Sequence, residues 1–249
     1  GTVAVRRIDL SGRERNLRPS NREGEPSFRF NWNAPFLISP HDSSVIWLGG
    51  NHVFRLYERG EKWELASPDL TTRDPAKMAT GGSAAEAHCT ITTLAESPLA
   101  KGLLWAGTDD GRLWITRDAG ANWTDLTGSL RGRVPPGLCV SRVEASHHDA
   151  STAYLAIDGH RTDDVRPYLL RTTDHGRTWN SIVANLPPDG PVKVVREDPV
   201  NRDLLWAGTE FGLWMSLDGG RHWLKPGTSL PTVPVDDVHV HPRDGDLVV

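Results

Sequence analysis

Thr172-Thr173-Asp174-His175-Gly176-Arg177-Thr178-Trp179 is one of three matching octets, and their recurrence decides how this chain is read. The other two are Thr116-Arg117-Asp118-Ala119-Gly120-Ala121-Asn122-Trp123 and Ser216-Leu217-Asp218-Gly219-Gly220-Arg221-His222-Trp223. Each reads hydroxyl residue, any residue, Asp, any residue, Gly, two further residues, then Trp. A decayed fourth copy runs Leu56-Tyr57-Glu58-Arg59-Gly60-Glu61-Lys62-Trp63. The octet describes a tight hairpin. Asp accepts hydrogen bonds from backbone amides of the turn, and Gly supplies the positive φ that other residues resist. The hydroxyl ties the incoming strand to the turn, and Trp covers it with a large apolar face. Recurrence on this scale is the mark of stacked supersecondary units.

Aligning on each Trp recovers the rest of the unit. Upstream lies a short apolar strand ending in small or hydroxyl residues, as in Leu103–Thr108, Thr152–Ala156, Leu204–Thr209 and Val45–Gly49. Before it comes another strand closed by a turn, as in Ile91–Pro98, Val140–Ser146, Val192–Pro199 and Phe36–Pro40. No segment carries a helical hydrophobic period, and Pro and Gly punctuate the junctions. Each unit therefore reads strand A, turn, strand B, loop, strand C, octet turn, strand D. Four antiparallel strands per repeat of this length make a β-propeller blade. The expected fold is all-β: one propeller over 1–249, with complete blades at about 31–70, 89–128, 138–186 and 190–230. Residues 1–20 read as strands C and D of an earlier blade, and 234–249 as strands A and B of a later one. The two partial units either join into a fifth blade or belong to a longer propeller. The longer propeller is the expectation, because stopping inside an apolar run leaves an unpaired edge.

The octet resembles the Asp-box, or bacterial neuraminidase repeat, found in sialidases, xyloglucanase-type glycoside hydrolases and sortilin-type receptors. The structural Asp-box residues are then Thr116, Asp118, Gly120, Trp123, Thr172, Asp174, Gly176, Trp179, Ser216, Asp218, Gly220 and Trp223. Stretches such as TITTLAESP and LLWAGTEFGLWMSLDGG resemble large bacterial secreted proteins with sortilin-like or glycosyl-hydrolase-like repeats. The resemblance implies a secreted or periplasmic protein that binds or processes glycans at a loop face. It also implies that further blades belong to the same polypeptide. The alternatives are a non-catalytic, sortilin-like propeller that binds peptides or proteins, and a structural module of a multi-propeller protein. As an enzyme the chain would be a glycoside hydrolase, although no catalytic set is identifiable in the sequence.

Composition narrows the classes further. A net charge of −4 with interspersed signs offers no basic stripe for nucleic acid. No run approaches the roughly 18 apolar residues of a membrane span, and GTVAVRRIDLSG at the start lacks the apolar core of an export signal. Cys89 and Cys139 are too few for a disulfide framework or metal cluster. Two free buried thiols are expected, and neither metal nor cofactor is called for.

Strand alternation places the B–C loops and D–A connections on one side, and the A–B and octet turns on the other. Ligand mouths are built from such loops on rigid scaffolds. The loop side collects Asn51, His52, Asp109, Asp110, Asp158, His160, Arg161, Asp163, Asp164, Arg166 and Glu210, overhung by connections 71–88 and 128–137. Asp109 and Asp110, with Glu210 at the equivalent turn, are the candidate catalytic carboxylates, since inverting glycosidases need two about 6.5–9.5 Å apart. Asp-Asp-Gly is equally a favourable hairpin turn. Segment 158–166 reads as a lengthened B–C loop whose charges suit a hydroxylated or charged ligand, or else pair with one another. Thr93, Arg142, Lys193 and Asp237 occupy comparable inner-strand positions, and Arg142 is the inner-strand arginine placed to meet a ligand. A sialidase would need an arginine triad and a Tyr paired with Glu. Tyr57, Tyr154 and Tyr168 all lie in strands B or C, which argues against that activity. His147-His148-Asp149 falls at an A–B turn and reads as turn chemistry.

Overall fold

A computed structural model of the chain describes residues 6–8, 10–21, 24, 27–79, 88–227, 231–241 and 243–249. The start of the first partial unit, at 1–5, and part of connection 71–88 lie outside the described residues. The described part is all-β, built from consecutive antiparallel sheets, and its one α-helix is the four-residue α1 (Pro75–Met78). Strands β1 (Arg6–Ile8) and β2 (Glu14–Asn16) pair as a two-stranded ladder. Strands β3 (Phe36–Ser39), β4 (Asp42–Gly49), β5 (Val53–Tyr57) and β6 (Lys62–Leu65) make the first four-stranded sheet in simple sequence order. The second holds β7 (Ile91–Glu96), β8 (Leu104–Thr108), β9 (Leu113–Thr116) and β10 (Trp123–Asp125). The third holds β11 (Cys139–Ala145), β12 (Ala153–Gly159), β13 (Asp164–Thr172) and β14 (Asn180–Ser181).

The fourth unit departs from the expected four strands. It comprises β15 (Val192–Glu197), β16 (Leu205–Thr209) and β17 (Gly212–Ser216). Strand D is reduced to a Met215–Leu224 bridge with two backbone hydrogen bonds of 2.8 Å. Pro226 follows at once and has no N–H to continue a ladder. The final strands β18 (His239–Val240) and β19 (Leu247–Val248) pair with each other, as the expected strands A and B of 234–249. These two stand apart from the β1–β2 ladder, so no described strand joins the partial units into one sheet.

The apolar cores sit between sheets rather than within one. Trp47, Val53, Leu94 and Leu104 join the first sheet to the second, and Trp105, Leu113, Leu155 and Trp179 join the second to the third. Tyr154, Leu169, Val195 and Trp223 join the third to the fourth. Trp105 is fully buried and meets Trp179 edge-on at 6.1 Å, a geometry aromatic rings prefer. Five strands, β3, β7, β11, β15 and β18, contribute Ile38, Ala95, Glu144, Arg196 and Val240 to one cavity of about 390 Å³.

The octet turn is where sheet meets sheet. Within each copy the hydroxyl donates to the Asp carboxylate at 2.8 Å and accepts the Gly amide at 2.8–3.0 Å. The Asp then accepts the amide four residues on. The glycine is needed twice over. Its φ is +80 to +95°, and any Cβ there would run into the preceding sheet: Ala66 for Gly120, Leu126 for Gly176, Ile182 for Gly220. Each of those residues immediately follows a strand D. Gly60 of the decayed octet meets Leu17 in the same way, and Leu17 follows β2. The β1–β2 ladder thus stands where strands C and D of a preceding unit belong. Trp completes the contact by donating its indole N–H backwards, Trp123 to the Ala66 carbonyl at 2.7 Å and Trp223 to that of Ile182 at 2.8 Å. Trp179 donates instead to the Ser129 hydroxyl at 3.1 Å.

Two expectations follow for stability. Gly120→Ala forces a methyl group onto the Ala66 carbonyl at a positive φ, and should lower the melting temperature well beyond the effect of Gly128→Ala, whose Cβ meets open space. Equal melting of the two variants would refute the sheet-to-sheet role of the turn. Asp174→Ala removes acceptors for Thr172 and for the Thr178 amide and hydroxyl, a loss of about 1–3 kcal/mol. Burial pushes the Asp174 carboxyl up, but the Thr178 and Thr172 donors outweigh it and hold its pKa at about 2, below the ordinary 3.8. A depressed folded-state pKa means the stabilisation is complete above about pH 4 and fades as pH falls towards 2. The melting gap between wild type and Asp174→Ala should therefore narrow on acidification, and a gap independent of pH from 5 to 2 would contradict it.

Candidate functional site

The loop side carries the larger cavity, about 790 Å³, between the second and third sheets. Three segments build it: the stretch from Thr72 through α1, the B–C turn Asp110-Gly111-Arg112, and the connection 127–138. These are the loops that alternation assigns to one side. Gly111 and Gly137 approach so closely that a Cβ on Gly111 would lie 2.7 Å from the Gly137 Cα, so the turn and the connection meet at the floor. Val134, Pro135, Leu138 and Ile157 give the groove an apolar wall; Asp74, Lys77, Arg112, Asp125 and Arg131 give it a charged one.

Asp109 and Asp110 sit beside this groove, and both are buried. Asp109 accepts the Thr90 amide at 2.9 Å and the Thr90 hydroxyl at 2.8 Å. Asp110 accepts the Thr108 hydroxyl, and the Thr72 amide and hydroxyl at 2.8 and 2.7 Å. Burial pushes Asp109 above the usual carboxylate range. Asp110 is pushed up by burial as well, but its threonine donors outweigh that and hold it below. Opposite shifts on adjacent carboxylates are the electrostatic profile of an acid–base pair. The geometry, however, engages every one of their oxygens inside the protein, and Asp110 thereby ties connection 71–79 to the second sheet.

Register identifies Asn51, Asp109, Asp158 and Glu210 as one position repeated at the end of strand B. Asn51 is buried, accepting the Arg29 amide at 2.9 Å and donating to Asp69 at 2.9 Å. His52 packs edge-on against Phe28 and Phe54, with Nδ1 3.1 Å from the Ser67 carbonyl. Glu210 pairs with Lys193 at 3.2 Å, and Lys193 also reaches Asp236 at 3.3 Å. Asp158 accepts the His160 amide and lies 2.7 Å from its Nδ1. Segment 158–166 is a strand extension more than a loop. The pairing of β12 with β13 runs up to Gly159–Asp164, and a 3-10 turn at His160–Thr162 closes it. Its charges pair locally, Asp164 taking Arg166 at 2.6 Å and the Tyr168 hydroxyl at 2.8 Å. Arg161 and Asp163 remain exposed at the tip.

The inner strands correct one expected equivalence. Register shifts at Thr92, Ser141 and Lys193 mark a β-bulge in β7, β11 and β15, the kind of irregularity that re-aims a side chain. Lys193 therefore matches Thr92 and Ser141, whereas Arg142 matches Thr93. Arg142 pairs with Asp237 at 3.0 Å. Arg196, which composition alone did not single out, pairs with Glu144 at 2.7 Å and Asp237 at 2.9 Å. His147 lies 3.8 Å from Glu144, and that neighbour raises its pKa.

Sequence reasoning also passed over Glu96 and Glu197, which end equivalent inner strands. Glu96 accepts the Trp47 indole N–H at 2.8 Å, and Glu197 accepts the Tyr154 hydroxyl at 2.8 Å. Each reaches back to strand B of the sheet before. Trp105 Nε1 has no partner among the described residues, because the matching place in the next sheet is Ala145. The Tyr154–Glu197 pair has the composition of a sialidase nucleophile pair, but Tyr154 is fully buried and burial raises its pKa. It fastens two sheets. Cys89 and Cys139 are both free, and burial pushes the Cys139 thiol up to about 12. Cys89 is buried and precedes β7, whereas Cys139 opens β11 and is half-buried, in place of the two buried thiols expected.

No protein-family model matches the chain. A xyloglucanase of Hypocrea jecorina is 27% identical over 134 residues, covering 49% of this chain and 16% of that protein. The chain thus spans about a sixth of that relative. The GH74 xyloglucanase from Xanthomonas campestris superposes with a TM-score of 0.62 at 14% identity, over 88% of this chain and 34% of that one. The extracellular domain of a B. thetaiotaomicron hybrid two-component system gives 0.60 at 13%, over 98% and 29%. Likeness at these identities is likeness of fold, so this chain has the antiparallel-sheet fold of part of a GH74 enzyme.

Proposed function

We propose that this chain is part of a glycoside-hydrolase-like β-propeller and that its loop-side groove receives a glycan. One observation carries the reading: three separate loops of a rigid sheet array converge on a cavity of about 790 Å³, within the range of small-molecule sites. The xyloglucanase relative supports the ligand class. The octets are read as Asp-box turns, which hold neighbouring blades together. The open face of the first sheet, where Phe36 and Ile38 are exposed, is read as the seat of a further blade of the same polypeptide. An extracellular or periplasmic setting fits the relatives, one of which is itself an extracellular domain.

Binding without hydrolysis by this segment alone is the form of the proposal that the geometry favours. Asp109 and Asp110 are engaged by threonine donors on all their oxygens, which leaves neither free to attack or protonate a glycosidic bond. Catalytic groups then come from outside this segment.

Native affinity gels containing xyloglucan or mixed-linkage β-glucan test both statements. At least one gel should retard the folded chain, with no reducing sugar released. Arg112→Ala, which empties the groove floor of its guanidinium, should weaken retention by about tenfold. A folded chain that no gel retards overturns the glycan reading; sugar release from the isolated chain overturns the division between binding and catalysis.

A further inference from the structure

The charges of the groove divide into those already engaged within the protein and those left over. By formal count the described lining is balanced, Asp74, Asp110 and Asp125 against Lys77, Arg112 and Arg131. Their partners leave that formal count unchanged but divide the groups by availability to a ligand. Asp110 is held by three donors from Thr72 and Thr108. Asp125 pairs with Arg112 at 2.7 Å and accepts the Thr127 amide at 2.9 Å. Asp74 caps α1 by accepting the Ala76 amide at 2.9 Å. The side chains of Lys77 and Arg131, by contrast, have neither hydrogen bond nor ion pair among the described residues.

These two cations come from different segments of the lining. Lys77 belongs to α1, and its ammonium lies 3.9 Å from where a Cβ on Gly137 would be, so it reaches towards the far connection. Arg131 sits on that connection, one residue past the 3-10 turn Thr127–Leu130. Val134-Pro135 lies between Arg131 and Gly137 along that connection and adds an apolar surface suited to the C–H face of a sugar ring. Among the described residues the lining contains no aromatic ring on which a neutral sugar would stack.

We infer that the groove selects a saccharide bearing an anionic group, a uronate carboxylate or a sulfate ester, and that Lys77 and Arg131 are the residues that engage it. The inference rests on the glycan reading above and departs from the uncharged substrate that a xyloglucanase is named for. Charge-assisted hydrogen bonds are about twice as strong as neutral ones, and a guanidinium matches carboxylate or sulfate in bidentate fashion. The chain as a whole carries −4, so diffuse repulsion of polyanions works against binding elsewhere on the surface.

Calorimetric titration of the folded chain with three probes decides the matter: an oligogalacturonide, a kappa-carrageenan oligosaccharide (sulfated, without carboxylate) and an uncharged xyloglucan oligosaccharide. One acidic probe should bind at least about tenfold more tightly than the neutral one at low ionic strength. That margin should shrink as salt screens it, and preference for one acidic probe over the other names the anion. Lys77→Ala with Arg131→Ala should abolish the margin while leaving the melting temperature unchanged, and Lys77→Arg alone should retain it. Neutral and acidic probes binding equally, or an acidic preference that survives the double substitution, overturns the inference and leaves the glycan reading standing. Binding of none of the probes, with none of the glycan gels retarding the chain, removes both.

Discussion

The structure depends on one constraint, the close approach of each octet turn to the sheet before it. A glycine without Cβ lets the turn settle against the residue that ends the preceding strand D, and the indole N–H of Trp123 or Trp223 then finds a backbone carbonyl there. The contact combines three demands in eight residues: a positive φ, absence of a side chain, and a long aromatic donor. A sheet array held this way grows by nearest-neighbour contacts, as other repeat proteins do. The same geometry at Gly60 and Leu17 shows the constraint persisting where the octet itself has lost its Asp and hydroxyl.

A second set of contacts fastens the inner ends. Glu96 and Glu197 each accept a hydrogen bond from an aromatic residue of the previous sheet, and Glu144, Arg196 and Asp237 bind β11 and β15 to the segment before β18. Buried carboxylates cost stability unless donors satisfy them. Here Glu197 receives the Tyr154 and Ser146 hydroxyls and the His147 amide. Outer turns and inner polar contacts together fix the sheets against one another, and the loops between them are free to carry binding groups. The groove lies in those loops, and none of its charged groups belongs to the inter-sheet fastening at the opposite end.

Catalytic carboxylates and structural carboxylates look alike in composition, and this chain separates them by partner. Asp109, Asp110, Asp158 and Asp164 all have their oxygens directed at internal donors or cations. The groups left unengaged in the groove are basic, which turns attention from an acidic mouth to a cationic one.

What the sequence by itself determined is the local part of the architecture: the octet turns, the A-to-D strand order and the side on which each loop emerges. These follow from hydrogen bonds spanning two to four residues and from alternation along a strand, so they are legible in a short window. The shortened fourth sheet was also legible in principle, since Pro226 stands where a ladder donor is required. Only the tertiary structure decided which polar residues are engaged and which are free. Trp47 meets Glu96 and Tyr154 meets Glu197 across 49 and 43 residues, and Thr72 captures Asp110 across 38. Bulges at Thr92, Ser141 and Lys193 shifted the inner-strand register by one, and in a strand one residue exchanges the two faces. The groove and its two unpaired cations arise where loops distant in sequence converge, a relation that no local pattern encodes.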